Sequence, residues 1–344
     1  MTAVTAAGLE LRSCVLEMVK VLTSYGLKRI SGSSDEHAVV LLHGIRQTRE
    51  DMERPFGTSF TAHSGAASVY VYGYNHTQGL ERNGRLLADI LQSELTHPRI
   101  DLVGYSMGGL VARLAASDRS MPSIRTIVTL ATPNRGSLSN AELATLGQLG
   151  RSLFALISPL APRTEGVRDL TRAQQIMSGR REAILSSSGT SPLAVMAAKR
   201  YASIPGLFYN DTRTDFEWGP SVGLTAVQAT FLLASMKRRL IDMQKPHDGI
   251  VTESSNDLSQ STSYDFTEIH LAASGPNGEP ALCHAVVDSC KERDHGSILE
   301  DERVARLAWN LLACSDWRHI ETYDPGLLHR VRAHTGSSPG SPLP

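Results

Sequence analysis

Between Asp101 and Ala112 the chain reads Asp-Leu-Val-Gly-Tyr-Ser-Met-Gly-Gly-Leu-Val-Ala, with Ser106 flanked at two residues by Gly104 and Gly108. A serine hydroxyl is a poor nucleophile at neutral pH until a base takes its proton, and the G-x-S-x-G spacing is one way a chain presents such a serine. The turn residue is strained, and a side chain two positions to either side would collide with the neighbouring strand or helix. Ile100 to Val103 reads as a buried strand before the turn and Leu110 to Ala116 as a helix after it, the context the motif requires. The N–H of Met107 then opens the helix, where it can point at a developing oxyanion and where the helix dipole favours negative charge. The structural alternative is an ordinary strand-to-helix turn with a capping serine. Both glycines and both flanking elements favour the nucleophile.

Such a serine needs a histidine as general base, and the histidine needs a carboxylate to fix its tautomer and stabilise the imidazolium. In a doubly wound sheet these partners come from loops at the carboxyl ends of later strands, in the chain order Ser, Asp, His. Two loops fit: Pro246-His-Asp248-Gly-Ile-Val251, an acid in a turn, and Asp294-His295-Gly-Ser-Ile-Leu299, a histidine in a turn that opens the final helix. His270, His284 and His319 compete with His295 for the base, and Asp211, Asp215 and Asp294 compete with Asp248 for the acid.

Together these segments resemble the α/β-hydrolase lipases and esterases. That family has a strand ending in His-Gly, a G-x-S-M-G-G turn, a T-P-x-x-G-S segment, a D-G-x-V acid loop and a D-H-x-x-x-L histidine loop. Here they fall in the same order at His43-Gly44, Gly104 to Gly109, Thr132 to Ser137, Asp248 to Val251 and Asp294 to Leu299. The resemblance implies Ser106 as nucleophile, Asp248 as acid and His295 as base. It also implies an oxyanion hole from the N–H groups of Ile45 and Met107, with Gly44 letting the chain pass close to the ester and His43 in a structural role. The activity implied is carboxylic ester hydrolysis of lipid or other apolar acyl esters through an acyl-enzyme, with no metal or organic cofactor. A looser similarity to glycosylphosphatidylinositol inositol-deacylase-like hydrolases extends the alternatives to a phospholipase or a lipid-anchor deacylase or acyltransferase with the same three residues. A non-catalytic, partner-binding hydrolase scaffold is the alternative outside enzymes.

The elements that must position these residues are legible as periodicity. His37 to Leu42, Ser68 to Tyr74, Ile100 to Val103 and Ile124 to Leu130 read as strands, alternating with helices at Leu80 to Leu95 and Met107 to Ser117. This predicts an α/β fold with a doubly wound, mostly parallel sheet covered on both faces. From 138 to 245 the alternation gives way to helical patterns, including one over Leu193 to Tyr201, with only Gly206 to Asn210 strand-like. Ala285 to Val287 then reads as a strand and Ile298 to Leu312 as a closing helix.

The expected organisation is a lead-in over 1–35 with a helix at Glu10 to Leu22, a core over 36–137 and 246–315, a helical cap or lid over 138–245, and a disordered tail over 334–344. The apolar residues of the cap segment, such as Leu149, Leu153, Phe231 and Leu232, have two readings. They form either a lid that accepts acyl chains and touches a lipid surface, or the inward faces of ordinary amphipathic helices.

With 344 residues and 41% hydrophobic content the chain can bury a substantial core, and a net charge of −1 removes the basic excess that nucleic-acid binding needs. Four cysteines, Cys14, Cys283, Cys290 and Cys314, have no metal-ligand spacing. Cys283 and Cys290 are near enough in sequence to pair, but free thiols are expected. No export signal and no run approaching 18 apolar residues is visible, so a cytoplasmic protein is expected, with leaderless secretion left open.

Overall fold

The computed structural model describes residues 24–45, 47–117, 124–134, 165, 169, 200–207, 248, 251, 253–257, 282–293 and 295–334. The expected N-terminal helix at Glu10 to Leu22, nearly all of the cap segment 138–245 and the tail beyond 334 lie outside them.

Eight strands form one sheet: β1 (Gly26–Ser31), β2 (His37–Leu42), β3 (Ser68–Gly73), β4 (Arg99–Tyr105), β5 (Ile124–Leu130), β6 (Arg200–Ile204), β7 (Leu282–Val287) and β8 (Leu328–His334). Their order is β1-β3-β2-β4-β5-β6-β7-β8. The six strands from β3 across to β7 run parallel, while β1 and β8 close the two edges antiparallel. Parallel strands are buried on both faces and read as unbroken apolar runs, as β2 does with all six residues of His-Ala-Val-Val-Leu-Leu buried.

Helices α1 (Leu80–Glu94) and α2 (Met107–Ala116) cover one face. The stripe Leu80, Leu87 and Leu91 of α1 enters the same apolar cluster as Leu110 and Val111 of α2, each buried side chain contributing about 2 kcal/mol. The other face is covered by the helical stretch at residues 49–61 and by α4 (Glu302–Ala313), where Met52, Phe56 and Phe60 share a cluster with Val304, Leu307 and Leu311. A short helix α3 (Glu253–Asn256) lies between β6 and β7 in the chain.

From β2 the chain steps outward to β3, then crosses back to place β4 on the other side of β2. The connections at the carboxyl ends of β2 and β4 therefore diverge, leaving a crevice of the kind in which open α/β sheets bind ligands. His43-Gly44 follows β2 and Ser106 follows β4, so both motifs flank that crevice.

Several elements depart from the sequence expectations. Arg200 and Tyr201, expected to end a helix, open β6 (Arg200–Ile204); of the strand expected over 206–210, Gly206 and Leu207 follow β6 outside any strand and 208–210 lie outside the described residues. The core sheet thus takes a central strand from inside the range assigned to the cap. Ser203 hides the strand's apolar character, because its buried hydroxyl is satisfied by the Cys283 carbonyl and the His284 ring. The closing helix begins only at Glu302, after a short turn at Ser297–Glu300. There Asp301 has extended backbone and its carboxylate accepts the Arg303 N–H at 2.9 Å, making it the N-cap. His334, placed in the tail, is the last residue of β8.

Cys283, Cys290 and Cys314 are buried free thiols. Burial pushes the Cys290 thiol up to about 12 and moves Cys283 and Cys314 upward too, so none is a ready thiolate. Among the described residues no helix is long and apolar enough to cross a membrane.

Candidate active site

The turn after β4 is held in a conformation few residues adopt: Ser106 has φ 51° and ψ −122°. Such a non-glycine conformation costs about 1–3 kcal/mol and persists only where the surroundings over-determine it. Here the Ser106 N–H donates to the Leu130 carbonyl at 2.9 Å and the Gly109 N–H donates to the Ser106 carbonyl at 3.1 Å. The flanking glycines are there for space. A Cβ on Gly104 would lie 2.5 Å from the Gly109 backbone, and one on Gly108 would lie 2.4 Å from the His43 carbonyl and 2.7 Å from that of Leu42. Because those neighbours are backbone atoms of the central sheet, Gly108→Ala is expected to cost about 3 kcal/mol or more. Chemical denaturation checks this, and a loss below about 0.5 kcal/mol would refute the packing argument.

The three residues singled out in the sequence meet at this turn. The His295 Nε2 lies 2.9 Å from Ser106 Oγ, and His295 Nδ1 lies 2.7 Å from Asp248 Oδ2. The other carboxylate oxygen, Oδ1, accepts the Val251 N–H at 2.6 Å. The two loops are also joined through the backbone, the His295 N–H donating to the Asp248 carbonyl at 2.9 Å. Exposures of 4% for Ser106, 8% for His295 and 1% for Asp248 leave the hydroxyl and imidazole at the edge of solvent and the carboxylate in the interior. A proton leaving Oγ for Nε2 would create an imidazolium whose Nδ1–H already faces a carboxylate, the arrangement that general-base activation of a serine needs.

The rival residues fall elsewhere. His284 sits fully buried on β7, with Nδ1 2.9 Å from Ser203 Oγ and Nε2 3.2 Å from Glu253 Oε1. His319 is exposed after α4, beside Asp316. His270, Asp211, Asp215 and Asp294 lie outside the described residues.

The loop after β2 carries His43, Gly44 and Ile45. His43 is fully buried, its ring stacked on Tyr74 with centroids 4.2 Å apart. The ring's Nε2 accepts the Tyr74 N–H at 3.2 Å, which places the proton on Nδ1, where it is donated to the Gly44 carbonyl at 2.8 Å. The Tyr74 hydroxyl donates back to the His43 carbonyl at 2.8 Å. Burial pushes the His43 pKa down to about 4, so the ring is neutral. An unfolded chain binds that proton at pH 6.5 and the folded one only near pH 4. Stability should therefore fall by about 3 kcal/mol as pH drops across that window. Denaturation between pH 7 and 4 should show this limb in the wild type and a shallower one in His43→Asn; equal slopes would refute it.

Gly44 packs directly on the turn, a Cβ there meeting the Tyr105 ring at 2.8 Å. Its N–H donates to Gln47 Oε1 at 2.9 Å and its carbonyl accepts the Gln47 N–H at 3.4 Å, so Gln47 closes a small ring around Ile45. Met107 is the first residue of α2, where N–H groups have no partner within the helix. Two residues that the sequence did not single out support the site. One is Gln47, whose only signal is its spacing from Gly44. The other is Tyr105, whose hydroxyl donates to the His295 carbonyl at 2.5 Å.

Residues 72–189, from β3 through the Ser106 turn and β5 into the cap segment, match the family described as the PGAP1-like alpha/beta domain. The chain has an α/β-hydrolase fold. Solved structures that align with the chain include a Bacillus licheniformis lipase in its mature form, at 17% identity and a TM-score of 0.49, covering 80% of this chain and 92% of that one. A Listeria innocua gene product aligns at 12% identity and a TM-score of 0.45, covering 80% and 94%. A metagenomic carboxyl esterase aligns at 18% identity and a TM-score of 0.39, covering 66% and 61%. No curated protein sequence matches the chain. The family match ends before Asp248 and His295, so the approach of those two residues to Ser106 is an observation of this hydrolase fold's own geometry.

Proposed function

We propose that this α/β-hydrolase is a serine-dependent carboxylic ester hydrolase acting on apolar acyl esters. The observation that carries the reading is the continuous chain Ser106 Oγ, His295 Nε2, His295 Nδ1, Asp248 Oδ2, with separations of 2.9 and 2.7 Å at the crevice edge of the sheet.

In this reading His295 takes the Ser106 proton as Oγ attacks the ester carbonyl carbon. The carbonyl oxygen gains the electron pair and is received by the N–H groups of Met107 and Ile45, each worth roughly 100-fold or more in rate. Collapse expels the alcohol, which takes its proton from His295, and leaves an acyl group on Oγ. Water, deprotonated by His295, attacks that acyl group, and the carboxylic acid leaves as Ser106 recovers its proton.

A second substrate class, the acyl ester of a phospholipid or lipid anchor, uses the same residues. It is favoured by the family match over the Ser106 turn together with the sequence resemblance to inositol-deacylase-like hydrolases. The test is a series of p-nitrophenyl esters of short, medium and long chain beside a phosphatidylcholine, combined with fluorophosphonate labelling mapped by peptide mass. Labelling at Ser106 with ester turnover is expected. Absence of both would overturn the reading in favour of a non-catalytic scaffold, and fatty acid release from phosphatidylcholine alone would select the second class.

A further inference from the structure

The segment Thr132-Pro133-Asn134, which follows β5, belongs to a motif that the reaction above leaves without a task. It is bonded on one side to β4 and α2, which flank the serine turn, and on the other to α3, which follows the acid loop. On the serine side the Thr132 hydroxyl is 3.3 Å from the Gly104 carbonyl, and its side chain fills the space above Gly109, where a Cβ would come within 2.2 Å of Oγ1. Arg113, inside α2, donates from Nη1 to both the carbonyl and the Oδ1 of Asn134 at 3.0 Å. On the acid side there is a reciprocal pair: Asn134 Nδ2 donates to the Asn256 carbonyl at 2.8 Å, and Asn256 Nδ2 donates to the Thr132 carbonyl at 3.1 Å. Asn256 ends α3, which begins five residues after Asp248. The first residue of that helix, Glu253, is held by His284 on β7 and by Arg330 on β8.

We infer that Asn134 and Asn256 are positioning residues that set the Asp248 carboxylate at the height of His295 Nδ1 by tying the acid loop to the helix that carries Ser106. Arg113, Thr132, Asn134 and Asn256 are all buried. Each asparagine spends its Nδ2 in the reciprocal pair, and leaving such a buried donor unpaired costs about 1–3 kcal/mol, so the pair favours one register between the segments, while the buried Asn256 Oδ1 has no partner among the described residues. An apolar contact of similar size would hold the segments together without fixing that register. A shift of about 1 Å between catalytic groups is enough to cost 100-fold in rate. The inference rests on the assignment of Asp248 and Ser106 made under the proposed function.

Asn134→Asp tests it with an isosteric change. The variant keeps an oxygen for Arg113, loses the N–H donors to Asn256 and to Thr129, and sets a carboxylate oxygen against the Asn256 carbonyl. On a short-chain p-nitrophenyl ester, kcat is expected to fall at least tenfold with KM within about twofold of wild type and cooperative thermal unfolding retained. In an Asp248→Asn background the same change should cost less than twofold, because the group it positions has already lost its function. Asn256→Ala, carried through the same cycle, replaces Asn134→Asp if that variant does not fold. An unchanged kcat, or an equal loss in both backgrounds, would overturn the positioning role and leave the network purely structural. A wild-type protein without ester turnover and without label on Ser106 would instead bring down the functional assignment itself.

Discussion

Ser106→Ala is expected to lower ester turnover by about a million-fold, to the small residue left by substrate binding and the oxyanion donors, and to abolish fluorophosphonate labelling. The size of the effect follows from the pairing of this hydroxyl with the imidazole: His295 Nε2 lies 2.9 Å from Ser106 Oγ. The substitution is also mild on the fold. Alanine keeps the Cβ, so the strain at φ 51° is the same in both proteins, and the backbone bonds that hold the turn come from main-chain atoms of residues 106, 109 and 130. Unfolding temperature should therefore stay within a few degrees of wild type while activity disappears, a separation that a merely structural serine would not give. Turnover of p-nitrophenyl esters, intact mass after fluorophosphonate treatment and a melting curve on one preparation decide the matter. Retained turnover and a retained adduct would remove Ser106 from the chemistry.

The parts of this molecule that were legible in the sequence are those where covalent geometry or burial leaves little choice. Gly104 and Gly108 had to be glycine because backbone atoms sit within 2.7 Å of any added Cβ at either position. Strands β2, β4 and β5 are interior and parallel, so nearly all their residues are buried and apolar ones dominate, with Asp101 in β4 and Thr126 and Thr129 in β5 as buried polar interruptions. The edge strands were not legible, since each pairs with one strand of the sheet and its sequence is interrupted by polar residues, Lys28 and Arg29 in β1 and His329, Arg330 and Arg332 in β8. Strand β6 escaped because Ser203 is satisfied by contacts from β7, which only the sheet order reveals.

The site divides in the same way. His295 and Asp248 could be ranked above their rivals from motif order, but His284 looked comparable in sequence, and only its two bonded ring nitrogens inside the sheet set it apart. Gln47, Tyr105, Asn134 and Asn256 act through main-chain and side-chain bonds between segments distant in sequence. A pattern of residue types along one strand or helix carries no trace of such bonds.

Asp248→Asn should be severely damaging, though less so than the loss of the serine, by a route that volume alone would not suggest. The carboxylate has two different neighbours: Oδ1 accepts the Val251 N–H at 2.6 Å, and Oδ2 faces His295 Nδ1 at 2.7 Å. Only an oxygen can accept from Val251, so the asparagine must place its own Oδ1 there and turn its amide NH2 toward the imidazole. An NH2 group donates, which obliges His295 Nδ1 to be the bare, accepting nitrogen and moves the ring proton to Nε2. That proton then points at Ser106 Oγ, and the nitrogen that should receive the serine proton is blocked. The imidazolium of the transition state also loses its counter-charge in a site only 8% exposed at His295, where water cannot replace it. A fall of about 10,000-fold in kcat is expected, with little change in KM and a melting temperature close to wild type, because the side-chain contacts with Val251 and His295 both remain made. Steady-state kinetics on a short-chain ester is sufficient to check it. If kcat stayed within tenfold of wild type, the 2.7 Å contact would be a loop brace and a different carboxylate would have to orient the base.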